Sequence, residues 1–383
     1  MKILENIIGQ PHIVTILESA VLASRKDNDS SQELTHSWLF TGPTGSGRSL
    51  VAQSFAAALV CSNGGCGKCI DCETAMNGSH LDIEIMKIDG LSIKVDEIRE
   101  LISRSSFAPS VSNWRVIVLR EVQRLTEAAA NALLKAIEEP SSRTIWLLSA
   151  TSITDVSPTL RSRCRHIQIR TPTEKSIVKL LIERDNIDLS IAEKIAKISQ
   201  GNIGRANFLS KNLESRFRRD EVIDLILNLK DPSSAFSSAS RLIELVNDEV
   251  ELSTSTKDQQ EMNNLQNSLQ GIGRGLISGS SKVIKELERD QKNRANREIR
   301  DTLDRYLLDI YSIYRDAMLI KLGLPNQIIN VEFFNRLQEF SEKLSPKSIL
   351  DNMASIVSSL EGLTQNASNL LALENLLLVL MKS

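Results

Sequence analysis

Aromatic residues make up only 4% of this 383-residue sequence, while aliphatic and charged residues are plentiful. That balance suits a helix-rich soluble protein. Neither sign of charge dominates. The formal net charge is −2, which gives no global pull toward nucleic acid or an anionic membrane. No apolar run reaches the length of a membrane span, and the first residues, MKILENIIGQ, carry no signal-peptide pattern, so a cytoplasmic protein is expected. Cysteine is scarce. Of the five present, four fall between Cys61 and Cys72, which metal ligation in a reducing compartment explains better than a disulfide framework. The length exceeds one ordinary core, so two or three domains are expected.

Most of the sequence is organised around GPTGSGRS, residues Gly42 to Ser49. The apolar run Trp38-Leu39-Phe40 before it reads as a strand, and Leu50 to Leu59 after it as a helix. Strand, glycine loop and helix form the context of a phosphate-binding loop. Gly42, Gly45 and Gly47 let the backbone turn and aim N–H groups inward, with Pro43, Thr44 and Ser46 between them. The helix N-terminus adds its own unpaired donors, and Ser49 stands where a hydroxyl would hold magnesium. The usual Lys, however, is Arg48, a longer, planar and forked cation. Ahead of the loop, Ile8-Gly9-Gln10 reads either as a turn and helix start or as a segment packing on the adenine.

Cys61, Cys66, Cys69 and Cys72 are spaced C-x4-C-x2-C-x2-C. Four thiolates at this spacing close a tetrahedral structural zinc site and leave no open position for catalysis. His80 is read as a loop or surface residue, not a fifth ligand.

Ile83 to Ile88 alternates like a strand, and Ile93 to Leu101 opens a helix with acidic residues in its first turn. Trp114 to Leu119 is a continuous apolar run, expected for a strand buried on both faces. In a nucleotide hydrolase this strand ends in Asp-Glu, one for the magnesium shell and one for the attacking water. Here the pair is Arg120-Glu121, which removes a metal ligand and adds a repelling charge. Thr126 caps a helix that Pro140 stops, Ile145 to Ala150 is another buried strand, and Ile167-Gln168-Ile169 closes the sheet. Strands and helices alternate over the first 170 residues, which predicts a parallel sheet covered on both sides. Arg161, Arg163, Arg165 and Arg170 form either a solvated basic edge or, in an oligomer, a rim that enters a neighbour's phosphate site.

Residues 174–214 read as a small helical domain, in which Arg205 is a surface charge or a phosphate sensor. Beyond 215 the pattern is helical: Glu221–Lys230, Ser238–Val250, Ser281–Lys321 and Ala367–Lys382. Ser253–Gly279, polar and then glycine-bearing, reads as a flexible insertion; its G-x-G-x-G follows no strand and is not read as a dinucleotide site. The last helix is apolar on too many faces for a free surface helix and is expected in a bundle or at a subunit contact.

With these residues in view, the sequence resembles the clamp-loader ATPase family of bacterial replication, particularly its actinobacterial members. HSWLFTGPTGSGRS, the cysteine cluster, GLSIKVDEIREL, LTEAAANALLKAIEEPSSRTIWLLSAT and LRSRCRHI carry the resemblance, which extends over nearly all of residues 1–382. It implies an α/β then all-α chain: an AAA+ parallel-sheet domain at 1–172 with its zinc module at 61–72, a helical lid at 173–214 and a helical collar at 215–383. It implies that Arg163 of the Ser162-Arg163-Cys164 triplet is an arginine finger offered to a neighbouring motor subunit. By the same resemblance Thr151 falls near sensor 1, Arg205 near sensor 2, and Ile8-Gly9-Gln10 on the adenine-side box.

Two departures decide the type of subunit. Arg48 and Arg120 damage the ATPase, whereas the finger is kept. Expected is therefore a stator that binds ATP or ADP at most without turnover, with magnesium in doubt, inside the DNA polymerase III holoenzyme, a DNA-directed DNA polymerase. The length, without room for the extra C-terminal domains of full-length tau, is read the same way. Implied partners are the gamma/tau motor subunits, the delta subunit, and through them the beta sliding clamp and primed DNA, with no membrane. The competing readings are an active gamma/tau-type ATPase, another oligomeric ATPase such as a branch-migration helicase, and a zinc-stabilised adaptor with a vestigial loop.

Overall fold

A computed structural model describes residues 1–25, 34–86, 92–269, 280–362 and 368–382. The polar loop at Lys26–Ser31, the last residues of the strand read at Ile83–Ile88 and the glycines of G-x-G-x-G lie outside the described residues. The chain forms two compact units, Met1–Lys211 and Asn212–Ser383.

In the first unit, β1 (Ser37–Thr41), β2 (Ile83–Ile85), β3 (Arg115–Leu119), β4 (Thr144–Ala150) and β5 (Arg165–Gln168) make one parallel sheet. Their order is β2-β3-β4-β1-β5. The helices of this unit are α1 (Pro11–Ala23), α2 (Arg48–Val60), α3 (Ile70–Asn77), α4 (Val95–Ser105), α5 (Glu127–Glu138), α6 (Pro158–Arg161), α7 (Glu174–Asp185), α8 (Leu189–Ser199) and α9 (Ile203–Lys211). The continuous apolar strands follow from burial on two faces. Trp38, Phe40, Val118 and Leu147 join Phe55 and Leu17 in one core, while Leu39, Ile117, Trp146 and Leu148 join Ile98, Leu101 and Leu133 in the other. Full burial of each such side chain stabilises the fold by about 1.5–3 kcal/mol. The expected parallel, doubly covered sheet is therefore present.

Local signals place the ends of the elements. Thr126 accepts the Ala129 N–H at 3.3 Å and starts α5, as its position before a run of strong helix formers predicts. β1 pairs with both β4 and β5, and Gly42 begins the loop at its carboxyl end, the position at which open parallel sheets commonly bind ligands. The buried Ile177, Leu181, Ile195, Ala196 and Leu209 hold α7, α8 and α9 together as a small helical cluster.

The second unit contains α10 (Leu213–Leu227), α11 (Pro232–Leu269), α12 (Ser280–Lys321), α13 (Phe334–Lys343), α14 (Pro346–Gly362) and α15 (Asn369–Met381), and no strand among the described residues. Leu242, Val246, Leu307, Tyr314, Ile349, Ile356 and Leu377 form its core. α15 turns Leu373, Leu376, Leu377 and Leu380 into that core and leaves Leu371 exposed. The flexible insertion expected from Ser253 is corrected over 253–269, where α11 simply continues. Polar pairing with α12 replaces apolar periodicity there. Arg294 bonds Glu261 and lies 3.5 Å from Asp258, Gln291 donates to the Asp258 carbonyl, and Ser253 donates to Glu298.

Candidate functional site

The glycine loop sits between β1 and α2 as its sequence requires. Gly45 and Gly47 have φ of +83° and +95°, which side-chain-bearing residues rarely adopt. Close approach adds to this. A Cβ on Gly45 would fall 2.1 Å from the Asn202 side chain, and one on Gly47 would fall 2.9 Å from Ile203 Cδ1. The Ile203 N–H donates to the Gly45 carbonyl at 2.9 Å, so the start of α9 rests on the loop. Gly47 provides no side-chain cap for α2, which leaves the first-turn N–H groups for another acceptor. Ser46 is buried, and its hydroxyl has no partner.

Ile8-Gly9-Gln10 reaches the same neighbourhood. Gln10 Nε2 donates to the Arg170 carbonyl at 2.6 Å, beside Ile169, whose carbonyl packs on Gly42. Thr151 follows the carboxyl end of β4 and donates to Asp155 Oδ2 at 2.8 Å. Arg205 is buried in the first turn of α9, and its N–H donates to Asn202 Oδ1 at 2.9 Å. It is therefore not a solvated surface charge.

Charge at the loop is dominated by cations. Glu121, with φ of +51°, follows β3 and accepts from Arg124 at 2.6 Å. The same carboxylate acts electrostatically on Arg48 and on Arg120. Burial pulls both guanidinium pKa values below their ordinary level, and Glu121 only partly opposes it. Arg48 Nη1 and Arg120 Nε are buried without hydrogen-bond partners. This donor set does not fit a magnesium ion: the Ser49 hydroxyl is available, but a guanidinium stands where the carboxylate ligand belongs, and Glu121 is already bridged.

Arg163 lies at the other end of the sheet. Its carbonyl accepts from Ser37 Oγ at 2.7 Å, at the first residue of β1, whereas the loop follows the last. The length of β1 separates them, about 16 Å at strand rise. The exposed side chain donates through Nε to Glu138 and through Nη1 to the Thr159 carbonyl at 3.0 Å. The four arginines are not one solvated edge. Arg165 lies over the Trp38 ring at 4.8 Å, while Arg161 and Arg170 are exposed. Burial pushes the Cys164 thiol up to about 11, so this cysteine packs as an inert thiol.

Cys61 ends α2, Cys66 and Cys69 lie in the following loop, and Cys72 is in α3. All four sulfurs lie within 4.8 Å of one another, with Cys61 3.8 Å from Cys66 and 3.5 Å from Cys69. A tetrahedral ion with zinc–sulfur bonds of about 2.3 Å sets sulfurs about 3.8 Å apart, so the four fit a zinc-sized ion. The Gly67 N–H donates to Cys72 Sγ at 3.3 Å and orients it. His80 lies in the loop between α3 and β2, as read, but is buried and not on the surface, with Nδ1 accepting the Asp82 N–H at 3.0 Å. Asp82, which sequence reasoning passed over, is fully buried and accepts the N–H groups of Ser110, Val111 and Ser112 at 2.5–2.9 Å. No local pattern marks it, since all three donors lie 28 to 30 positions away.

A parallel sheet with a phosphate loop after its first strand and a helical cluster over that loop defines a P-loop nucleotide-binding fold. A family model described as "DNA polymerase III, delta subunit" matches residues 18–173. The tau subunit of DNA polymerase III from Bacillus subtilis is 27% identical over 91% of this chain and 56% of its own length. The delta' subunit from the same organism is 24% identical over 97% of this chain and 96% of its own. The gamma/tau subunit of Mycobacterium tuberculosis is 33% identical over 46% of this chain and 30% of its own. A crystal structure of a gamma subunit-related protein from Thermotoga maritima is 14% identical, with a TM-score of 0.45 over 96% of this chain and 98% of that one. The chain is therefore similar to subunits of DNA polymerase III, over residues 18–173 by the family model and over most of its length by the tau and delta' relatives. It spans between 29% and 56% of the first tau and gamma relatives it matches. Among the described residues, no helix is long and apolar enough to cross a membrane.

Proposed function

We propose that this chain is a delta-prime-like subunit of the DNA polymerase III clamp loader, a cytoplasmic stator that donates Arg163 to the ATP site of a neighbouring gamma/tau motor subunit. The observation that carries this reading is the placement of Arg163, exposed and a strand's length from its own phosphate loop. A finger so placed serves only a site on another chain. There a guanidinium stabilises the charge that develops on the transferred phosphoryl group. The chain's own loop supports no hydrolysis: Arg120 stands in the metal-ligand position, and Glu121 is tied to Arg124. Residues 173–214 act as a lid and residues 215–383 as the collar that joins subunits, the delta subunit included, into a ring. The ring opens the beta clamp on primed DNA when ATP binds and releases it on hydrolysis. Cys61, Cys66, Cys69 and Cys72 hold a structural zinc ion that ties the end of α2 to α3.

Over comparable spans the tau relative is slightly more identical than the delta' relative, 27% against 24%, which is the observation behind the alternative of an active motor. One experiment separates the two: DNA-dependent ATP turnover of the reconstituted loader with the wild-type chain and with Arg163→Ala, and of this chain alone. The stator predicts a silent chain and a fall of about a hundredfold or more at the adjoining site. Turnover by the isolated chain establishes the motor instead.

A further inference from the structure

The loop is short of negative charge. Arg48, Arg120 and Arg124 face one carboxylate, Glu121, and only Arg124 is hydrogen-bonded to it. Arg48 Nη1 and Arg120 Nε, each withdrawn from water, have no acceptor. Inside the loop the Ser46 hydroxyl, on a residue only 3% exposed, is likewise without a partner. The first-turn N–H groups of α2 are uncapped. Donors left unmet in a partly dry site favour an anion that supplies many acceptors at once. A divalent cation meets the opposite conditions, because its usual carboxylate ligand is replaced by a guanidinium.

We infer that this loop binds the phosphate chain of a nucleoside polyphosphate without magnesium, Arg120 supplying the positive charge that the metal supplies in a hydrolysing site. The inference rests on the non-hydrolytic reading of the loop and adds a ligand form to it. Arg48 takes the terminal phosphates from the start of α2, while Arg120 takes them from the end of β3 and excludes the ion. No bond is made or broken. Asn202 and Ile203 cover the loop at Gly45 and Gly47 and engage a carbonyl, so they take up none of the loop's amide donors, of which the Ser46 N–H is already bonded to the Pro43 carbonyl at 3.1 Å.

Isothermal titration of the full chain with ATP tests this, once in EDTA and once in excess magnesium, with inorganic tripolyphosphate as the second titrant. ATP should bind in EDTA, and magnesium should weaken binding severalfold, because the metal complex carries less negative charge. Arg48→Ala and Arg120→Ala should each cost about tenfold or more in affinity in EDTA. Arg120→Asp, which restores a metal ligand, should reverse the effect and make binding tighter with magnesium. Tripolyphosphate matching ATP assigns affinity to the phosphate chain alone; tighter ATP makes the nucleotide the ligand. Absence of binding in EDTA, or wild-type binding that requires magnesium, overturns the inference, and the wild-type titrations decide this even where a variant fails to fold. The stator reading fails on a separate result, hydrolysis by the chain alone or normal loader turnover with Arg163→Ala.

Discussion

Arg163 is bonded through Nε to Glu138, the last residue of α5, while its backbone is anchored to the first residue of β1. The backbone bond sets where the guanidinium starts from, and the carboxylate holds it at rest on its own chain. On the proposed stator reading, entry into a neighbour's phosphate site would exchange Glu138 for phosphate. Both groups are exposed, so the pair contributes under about 1 kcal/mol. Glu138→Gln should therefore leave the thermal midpoint unchanged. It should lower the ATP concentration that half-saturates loader turnover by about two- to fivefold. A rise in that concentration would make Glu138 a positioning residue for the finger.

Gly45 should tolerate no side chain. Gly45→Ala meets Asn202 and forces a left-handed alanine, at a cost of about 1–2 kcal/mol for the backbone conformation alone. Combining it with Asn202→Ala removes the clash and keeps the backbone term. Chemical denaturation of the single and double variants should show a coupling between the two sites, and strict additivity would mean that Asn202 swings aside freely.

Asp82 links pH to stability. Burial opposes its charge, but the N–H groups of Ser110, Val111 and Ser112 together outweigh it and hold the carboxyl below its ordinary range. A group depressed in the folded state contributes fully above its unfolded pKa, about 3.9, and the contribution is lost as pH falls through the lower folded value. Asp82→Asn should cost about 2–3 kcal/mol at neutral pH, because the charged acceptor is gone. The gap to wild type should narrow toward pH 3 in urea melts; a gap independent of pH would assign the loss to packing.

Zinc should be measurable at one ion per chain by elemental analysis, and Cys72→Ser should remove it. With free zinc a thousandfold above its dissociation constant, binding stabilises the fold by about 4 kcal/mol, and chelation should lower the thermal midpoint accordingly. Because protons compete for the thiolates, chelation should become easier as pH falls. A midpoint indifferent to chelator would leave the cysteines without a metal.

Much of this protein follows from its local sequence. Thr126 and Pro140 bound a helix through a hydroxyl acceptor and a missing N–H, and each acts within one turn. Trp38-Leu39-Phe40 is apolar at every position because both faces of β1 are covered, and the glycine loop follows because only glycine turns so tightly there. The cysteine cluster closes on itself within twelve residues, so its spacing nearly states its geometry. What needed the tertiary structure involves partners distant in sequence. α13 and α14 escaped reading because α14 buries Ile349, Asn352 and Ile356 among serines and charges, a stripe too thin to stand out. The continuation of α11 through 253–269 depends on arginine and glutamate pairs with α12, not on its own apolar face. The burial of His80 and Asp82, the seat of Asn202 on Gly45, and the strand's length between Arg163 and its own loop are all set by chain topology. Periodicity reports which face of an element is dry, whereas only the folded chain determines which charge meets which.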